Sequence, residues 1–316
     1  MKLRIGTRGS ALALWQARHV ASLIQELHRQ ASIELVTIKT TGDKILDAPL
    51  ATIGGKGLFT KEIEEALLEG RVDLAVHSMK DVPTELPDGL KLAAILKRED
   101  PRDVFISRDG RGLEELKSGD RIGTSSLRRR AFILNRYPEL EIVSIRGNVD
   151  TRLRKIESEN LAGIVLASAG VKRMGFEDRA TSFLEPDVMV PAIGQGALGI
   201  ETRVDDEQVE AVVLQLNHDA TSASVQIERS FLARMGGGCQ VPLAAHAVLG
   251  LDGTSVIAAV VHPDGYPLMK ESYNGPDGNP GIGSRLADVL IQRGADSIMR
   301  SVTGSNWEPG PTGDLT

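Results

Sequence analysis

The chain has 316 residues, of which 41% are apolar and 25% are charged, as is ordinary for a globular protein of two or three domains. No run approaches the roughly 18 apolar residues of a membrane span, and a formal net charge of −6 argues against general nucleic-acid binding. The single cysteine, Cys239, excludes an internal disulfide and a cysteine-cluster metal site, and the histidines lack metal-ligand spacing. Because residues 1–6 contain no signal-peptide core, we expect a cytoplasmic protein without membrane contact.

The first hundred residues alternate between apolar strand and helix patterns. Strands are predicted at residues 3–6, 33–40 and 72–77, and helices at residues 11–27 and 58–69. Ser10 is a predicted helix cap, and Arg8 lies in the turn just before it. Both residues are at a helix N-terminus, which can bind an anion. The polar, glycine-bearing residues 42–57 predict a mobile lid that could close over a site.

A second unit with the same alternation follows Pro101. Its strands are predicted at residues 104–107, 121–123, 140–145 and 162–167, with helices after each of the last three. This order predicts a largely parallel sheet with helices on both faces and ligands at the carboxyl ends of the strands. Residues 78–81, 124–129 and 146–148 all fall at such ends.

The remaining residues predict a small α+β domain. Residues 197–201 are a strand that is a candidate to return to the first unit, and two antiparallel strands are predicted at 244–249 and 255–261. Helices are predicted at 207–216, 222–235 and 284–299. We therefore predict three domains, at residues 1–98 with 192–217, at 99–191 and at 218–303, followed by a disordered tail at 304–316.

Positive charge is concentrated in the second unit. Residues 121–154 contain eight arginines and three acidic residues, a net charge of +5, so the rest of the chain carries −11. Such a patch on an acidic protein favours a confined anionic ligand. Arg128 and Arg129 follow three hydroxyl residues at a helix start, which favours a carboxylate or phosphate, although an exposed basic helix is the alternative.

Two further residues are candidates for chemistry. Asp81 stands at a strand end, where a carboxylate can stabilise a developing cation or transfer a proton, or can simply pair with Lys80 in solvent. Cys239 follows three glycines and precedes Pro242, so it is either a small buried apolar residue or a thiol that carries a covalent group. His77 is predicted to be a hydrogen-bonded core histidine.

Seven stretches resemble the porphobilinogen deaminase family, also called hydroxymethylbilane synthases. They are residues 3–13 (LRIGTRGSALA), 54–59 (GGKGLF), 77–83 (HSMKDVP), 123–129 (GTSSLRR), 145–149 (IRGNV), 194–196 (GQG) and 238–242 (GCQVP). They occur in order along a match that runs from about residue 3 to residue 300, and several are long and specific.

The resemblance implies a fold and a reaction. The fold has two similar doubly wound α/β lobes, like those of two-domain anion-binding proteins with the site in the cleft, and a small α+β domain with an antiparallel sheet. The reaction is a transfer that joins four porphobilinogen molecules head to tail, with loss of four ammonia, to give hydroxymethylbilane for porphyrin and heme biosynthesis. The cofactor is a dipyrromethane bound by a thioether, which by motif position is attached to Cys239. We expect a monomer whose product passes to uroporphyrinogen-III synthase.

The resemblance also assigns residues. Asp81 matches the catalytic carboxylate, which would stabilise positive charge on the pyrrole nitrogen after ammonia leaves. The implied cofactor-binding residues are Ser78, Lys80, Asp81, Thr124, Ser125, Ser126, Arg128, Arg129, Arg146, Gly147 and Cys239. The implied substrate-binding residues are Arg8, Ser10, Gln16, Lys56, Arg146, Arg152, Arg173 and Gln195. Repeated arginines suit a ligand that carries acetate and propionate groups, because arginine stays charged and binds carboxylates with two donors. A two-lobed anion carrier is the alternative, but it gives Cys239 no role.

Overall fold

The computed structural model describes residues 1–44, 57–237 and 241–311. The chain forms two compact units, the first comprising Met1–Glu99 with Ala197–Ser222 and the second comprising Asp100–Gly196 with the chain from Ala223 onward. The finer division into three domains stays a prediction. Across the described parts, every helix is too short or too polar to span a bilayer.

Strands and helices alternate through most of the described chain. In chain order, the strands are β1 (Lys2–Thr7), β2 (Ser32–Thr37), β3 (Leu74–Ser78), β4 (Leu90–Ile95), β5 (Asp103–Ser107), β6 (Arg121–Gly123), β7 (Glu141–Val143), β8 (Gly163–Ala167), β9 (Ser182–Leu184), β10 (Leu198–Arg203), β11 (Leu243–Gly250), β12 (Gly253–Val261) and β13 (Leu268–Gly275). The helices are α1 (Ala11–Leu27), α2 (Thr41–Lys44), α3 (Lys61–Leu68), α4 (Leu127–Arg136), α5 (Val149–Ser158), α6 (Ser168–Arg173), α7 (Glu207–Val213), α8 (Asp219–Arg234), α9 (Gly281–Leu290) and α10 (Asp296–Thr303).

The first unit contains a five-stranded sheet in the order β2-β1-β3-β10-β4. Strands β2, β1 and β3 are parallel, and β10 is antiparallel to both of its neighbours. Alternate residues of β1, Leu3 and Ile5, pack in one core with Val20 and Ile24 of α1, which is the arrangement that their period-2 and period-3.6 patterns predict. The predicted return of the chain to this sheet is confirmed, since β10 pairs with β3.

The second unit contains a sheet of the same design in the order β7-β6-β8-β5-β9. Strands β7, β6 and β8 are parallel, and β5 is antiparallel to β8 and β9. In both sheets the antiparallel strand is the first strand in the sequence after the chain enters that unit from the other one. The predicted pair of similar α/β lobes is confirmed, with one antiparallel strand in each sheet.

The predicted small antiparallel sheet is also confirmed. Strands β11, β12 and β13 form it, and α8, α9 and α10 pack on it around Phe231, Leu286 and Met299. The single helix predicted for residues 284–299 is wrong, because Gly294 takes φ 100° and separates α9 from α10 by a π-helical turn.

The antiparallel domain shares a core with α4 inside the second unit. Phe132 and Ile133 of α4 pack in one cluster with Ala244, Ala259 and Val261 of the antiparallel sheet. At its end, the β12–β13 hairpin contacts α4 directly, since Asn135 Nδ2 donates a 2.7 Å hydrogen bond to the carbonyl oxygen of Gly265. The helix whose first turn carries Arg128 and Arg129 is therefore fixed to both parts of the unit.

The tail differs in part from the prediction of disorder. Trp307 is only 8% exposed and belongs to the core cluster of the antiparallel domain. The glycines and prolines of this segment predicted a disordered chain, but one large buried aromatic side chain is enough to hold residues 304–311 on the domain. Residues 312–316 lie outside the described part of the chain.

Candidate functional site

Five of the predicted site residues line one pocket of the first unit. It lies at the carboxyl ends of β1 and β3 and the N-termini of α1 and α3, and its lining includes Arg8, Ser10, Gln16, Ser78 and Asp81. In a mostly parallel sheet these strand ends meet at one edge, so residues far apart in sequence come together there.

The α1 side of this pocket is built by hydrogen bonds. Ser10 is the helix cap that its position predicted, with extended backbone and Oγ accepting a 3.3 Å hydrogen bond from the Ala13 amide. One turn on, the buried Gln16 donates from Nε2 to Ser78 Oγ at 2.9 Å. The helix start and the end of β3 are thereby joined by polar groups that face the pocket.

Phe59 is a pocket residue that sequence reasoning did not select. The guanidinium carbon of Arg8 lies 4.1 Å from the centroid of the Phe59 ring, a cation–π contact. Such a contact orients the guanidinium without neutralising it. The only signal in the sequence was its place beside the glycines of residues 54–57.

Asp81 ends a 3-10 turn, Met79–Asp81, that directly follows β3. The turn is anchored by Met79, which is fully buried, whereas Asp81 is only half-buried. Within the described residues, the Asp81 carboxylate has no hydrogen-bond or ion-pair partner. The simple ion pair with Lys80, which the sequence left open, is therefore absent, and the carboxylate faces the pocket.

A buried acid–base group lies beneath this pocket. His77 Nε2 is 2.9 Å from Glu201 Oε2, and both side chains are buried, which confirms the predicted core histidine. Glu64 is also buried, and burial is the main reason that its pKa lies above the ordinary value. The nearby charge of Glu201 raises the pKa of Glu64 further.

In the second unit, three predicted arginines concentrate positive charge. Arg152 is half-buried and donates from Nε to the Gly147 carbonyl oxygen at 2.8 Å. Burial, together with the charges of Arg129 and Arg146, lowers the pKa of Arg152 to about 10. Neighbouring guanidiniums that lower the pKa of Arg152 in this way are suited to a bound anion, which would relieve the repulsion.

The hydroxyl residues before α4 organise the loops beside these arginines. Ser126 caps α4 by accepting a 3.4 Å hydrogen bond from the Arg129 amide, and Thr124 Oγ1 accepts one from the Ser126 amide at 3.2 Å. Ser125 donates to the carbonyl oxygen of Ile145. The next loop has a similar cap, Asn148, preceded by Gly147 at φ 113°, a conformation that favours glycine.

Asp103 is a second residue that sequence reasoning missed. Arg128, Arg129 and Gln195 all converge on its carboxylate, which is fully buried. Burial by itself would raise the pKa of Asp103, but these partners outweigh it and hold the pKa below its ordinary value. The alternative of an exposed basic helix is wrong for Arg128 and Arg129, which are 4% and 6% exposed.

The other predicted residues are distributed as follows. Arg173 donates from Nη2 to the Gly196 carbonyl oxygen at 2.7 Å, and Gln195 Nε2 also donates to the Pro101 carbonyl oxygen at 2.7 Å. Lys80 is half-buried on the turn before Asp81. Lys56, Cys239 and most of the predicted lid at 42–57 lie outside the described residues. In the part of the chain that is described, no cluster of three or more His, Cys, Asp or Glu could hold a metal ion.

Solved structures with a similar fold include two-lobed binding proteins. The methionine binding protein MetQ matches with a TM-score of 0.44 and 14% identity, covering 68% of this chain and 89% of that chain. A TRAP periplasmic solute binding protein from Desulfovibrio salexigens matches with a TM-score of 0.43 and 11% identity, covering 70% of this chain and 73% of that one. Because these TM-scores and identities are low, the fold class is assigned from the two similar sheets within this chain.

Family comparisons cover almost the whole chain. The model for the porphobilinogen deaminase dipyrromethane cofactor binding domain matches residues 3–211, and that for the porphobilinogen deaminase C-terminal domain matches residues 222–292. Porphobilinogen deaminase of Syntrophotalea carbinolica is 53% identical over 301 residues, covering 95% of this chain and 96% of that protein. The enzyme of Geobacter sulfurreducens is 51% identical over 302 residues, covering 95% of each. The chain therefore belongs to the porphobilinogen deaminase family.

Proposed function

We propose that this enzyme joins four porphobilinogen molecules head to tail, releasing four ammonia, to form hydroxymethylbilane on a covalently bound dipyrromethane. Family membership makes it a transferase of tetrapyrrole biosynthesis. The observation that carries the finer proposal is the cluster of Arg129, Arg146 and Arg152, in which burial and the two neighbouring charges lower the pKa of Arg152, because such a cluster suits a ligand rich in carboxylates.

Each of the two units offers groups that suit a dipyrromethane. Its acetate and propionate groups suit the guanidiniums of Arg146 and Arg152, with Arg128 and Arg129 adding positive charge that Asp103 partly balances. Its pyrrole N–H groups suit the carboxylate of Asp81, which has no partner among the described residues, with Ser78 and Lys80 beside it. When bound, the dipyrromethane supplies the pyrrole carbon to which the first substrate is joined. We assign its attachment to the thiol of Cys239, as the motif at residues 238–242 implies.

Asp81 is proposed as the catalytic residue. Loss of ammonia from the aminomethyl carbon of porphobilinogen leaves positive charge spread over the pyrrole and its nitrogen. An ionised carboxylate held without a competing partner stabilises that charge by direct electrostatic attraction. The same carboxylate can transfer a proton at the aminomethyl amine as ammonia leaves, and it can later accept the proton that the pyrrole α-carbon loses once the new carbon–carbon bond has formed.

The remaining assigned residues hold the substrate's carboxylates. Arg8, oriented by Phe59, supplies a guanidinium at the pocket that Asp81 also lines. Ser10 and Gln16 add polar groups to the same pocket. We also assign substrate binding to Lys56, Arg173 and Gln195. We assign cofactor binding to Thr124, Ser125, Ser126 and Gly147. We further propose a cytoplasmic monomer that passes its product to uroporphyrinogen-III synthase.

The test compares Asp81→Asn with Asp88→Asn, an exposed aspartate in the segment that follows. We expect Asp81→Asn to lower turnover by roughly 100- to 1,000-fold, as loss of a transition-state electrostatic contact does, with no loss of thermal stability. Asp88→Asn should behave as wild type. Full turnover in Asp81→Asn would remove the catalytic assignment.

A second variant separates the enzyme from an anion carrier. Cys239→Ala should abolish turnover, since it removes the proposed attachment atom. A carrier would lose no affinity for porphobilinogen on this change and would show no ammonia release in either form. Ammonia release that persists in Cys239→Ala at the wild-type rate would contradict the proposal.

A further inference from the structure

Helix α8 ends five residues before Cys239, and its last carbonyl groups all need partners. Two of these carbonyl groups accept hydrogen bonds from the turn that directly follows the helix. Gly236, at φ 57°, donates its amide to the Ala233 carbonyl oxygen at 3.0 Å, and the Gly237 amide donates to Leu232 at 3.2 Å. This is the Schellman arrangement that a glycine in left-handed conformation allows.

The other two carbonyls receive their partners from the C-terminal segment. Trp307 Nε1 donates a 3.1 Å hydrogen bond to the carbonyl oxygen of Met235. The Gly310 amide donates to the Arg234 carbonyl oxygen at 3.0 Å. The segment 304–311, which we call the tail brace, therefore supplies half of the hydrogen bonds that close this helix end.

Packing and charge hold the tail brace in place. Trp307 is 8% exposed and packs in the same core cluster as Met235. The Arg234 guanidinium donates to the Gly310 carbonyl oxygen and also bonds Asp288 of α9, with Nε 2.7 Å from Oδ1. A side chain at Gly310 would collide with the carbonyl oxygen of Ala233, so the two backbones are in direct contact.

We infer that the tail brace positions the attachment cysteine by fixing the end of α8. The inference rests on the proposed attachment to Cys239, which follows Gly236 by three residues. A helix end that loses two of its four carbonyl partners frays, and the chain that follows then loses its fixed starting point. The tail brace lies beyond residue 292, where the match to the C-terminal family domain ends, so it is a positioning device outside the matched domain.

The experiment uses the full-length holoenzyme with two variants that disturb the tail brace in different ways. Trp307→Phe keeps a buried aromatic ring, although a smaller one, and removes the N–H donor, whereas Gly310→Ala pushes the two backbones apart. Asn306→Ala, an exposed position in the same segment, is the matched control. Ile298→Ala, a buried position in the same core cluster, is the control for lost stability alone.

Three measurements are made on each protein: the covalently loaded fraction by intact mass, kcat and KM per loaded enzyme, and amide hydrogen exchange at Gly236 and Gly237. For Trp307→Phe and Gly310→Ala we expect kcat to fall roughly 10-fold with KM within about 2-fold, because displacement of a reacting group by about 1 Å can cost ~100-fold. We expect exchange at the helix end to accelerate at least about 10-fold. Both controls should keep wild-type kcat, loading and exchange.

The possible outcomes separate the two hypotheses. Wild-type kcat, loading and helix-end exchange in Trp307→Phe and Gly310→Ala would overturn the tail brace while leaving the attachment intact. Equal loss of kcat in Ile298→Ala would also overturn it, since general destabilisation would then suffice. A wild-type mass without an adduct would instead overturn the attachment to Cys239, and the inference with it.

Discussion

Arg129 reaches Asp103 with two donors, since its Nε and Nη2 lie 3.0 and 2.9 Å from the same carboxylate oxygen, Oδ1. Arg128 Nη2 lies 2.7 Å from the other oxygen, Oδ2. All three side chains are buried, so one carboxylate balances two guanidiniums beside the proposed anion site. The balance leaves a net positive charge there, which suits an anionic ligand.

Asp103→Asn should destabilise the protein strongly. Two buried guanidiniums would lose their counter-charge, which typically costs about 3–5 kcal/mol in the free energy of unfolding. The matched control is Asp109→Asn, which removes the more exposed ion pair with Arg111 and should leave the free energy of unfolding nearly unchanged. Chemical denaturation of both variants measures the difference. A loss below ~1 kcal/mol in Asp103→Asn would show that the two arginines do not depend on it.

Arg152→Gln should weaken the response to a carboxylate ligand. Because its pKa lies below the ordinary value for arginine, the charged form of Arg152 destabilises the folded state at every pH below about 10, and this destabilisation decreases as the pH rises through that value. A bound carboxylate would also reduce this destabilisation of the folded state. In Cys239→Ala protein at neutral pH, porphobilinogen should therefore raise the melting temperature, and Arg152→Gln should remove most of that rise.

Arg154→Gln is the control for this measurement, because Arg154 is exposed and paired with Asp150 four residues earlier. It should leave the ligand-induced rise in melting temperature unchanged. An equal rise in Arg152→Gln and in the parent protein would exclude Arg152 from the ligand site.

Glu64→Gln should change how stability depends on pH. The pKa of Glu64 is raised, mainly by burial, so the folded state holds its proton more tightly than the unfolded state does. Wild-type stability should fall as the pH rises from about 4.5 through the folded-state pKa, because ionising Glu64 penalises the folded state alone. Glu64→Gln should lose this fall and gain stability relative to wild type at pH 8.

Glu65→Gln, at an exposed position on the same helix, is the control for Glu64→Gln. Its stability should follow the wild-type pH curve in urea denaturation at pH 4, 6 and 8. A Glu64→Gln curve that runs parallel to wild type over this range would show that Glu64 does not titrate between the two states.

Gly265→Ala should loosen the contact between the β12–β13 hairpin and α4. Gly265 has φ 93°, and an added Cβ would lie 2.5 Å from the backbone nitrogen of Asn135. Gly119 has a similar φ of 82° but nothing within 4 Å of its Cβ position, so Gly119→Ala isolates the conformational cost of about 1–2 kcal/mol. We expect Gly265→Ala to cost ~1–3 kcal/mol more in thermal unfolding. Equal losses of stability in Gly265→Ala and Gly119→Ala would mean that the hairpin can move away from α4 without a cost in free energy.

Much of the fold followed from local patterns. The apolar period of residues 11–27 and the cap Ser10 predicted α1 correctly, because those signals lie in the helix itself or directly before it. The break at Gly294 was missed because glycine inside a helical pattern is compatible with either outcome. Trp307 was missed because its partners lie more than seventy residues earlier in the chain.

The site was predictable only where a motif carried it. Arg8, Ser10, Gln16, Ser78 and Asp81 were selected from the sequence, and the structure brings them to one pocket. Asp103 carried no local signal, since it stands at the start of an apolar strand and its partners come from α4 and from Gln195. Burial of a charge depends on tertiary packing, which a single sequence does not display.

The most direct test of the proposed chemistry is the intact mass of freshly purified, active wild-type enzyme compared with Cys239→Ala. We predict a wild-type mass above the sequence mass by one dipyrromethane, carried on the peptide that contains Cys239, and an unmodified mass for Cys239→Ala. An unmodified mass for active wild-type enzyme would contradict the central claim that this thiol carries the cofactor.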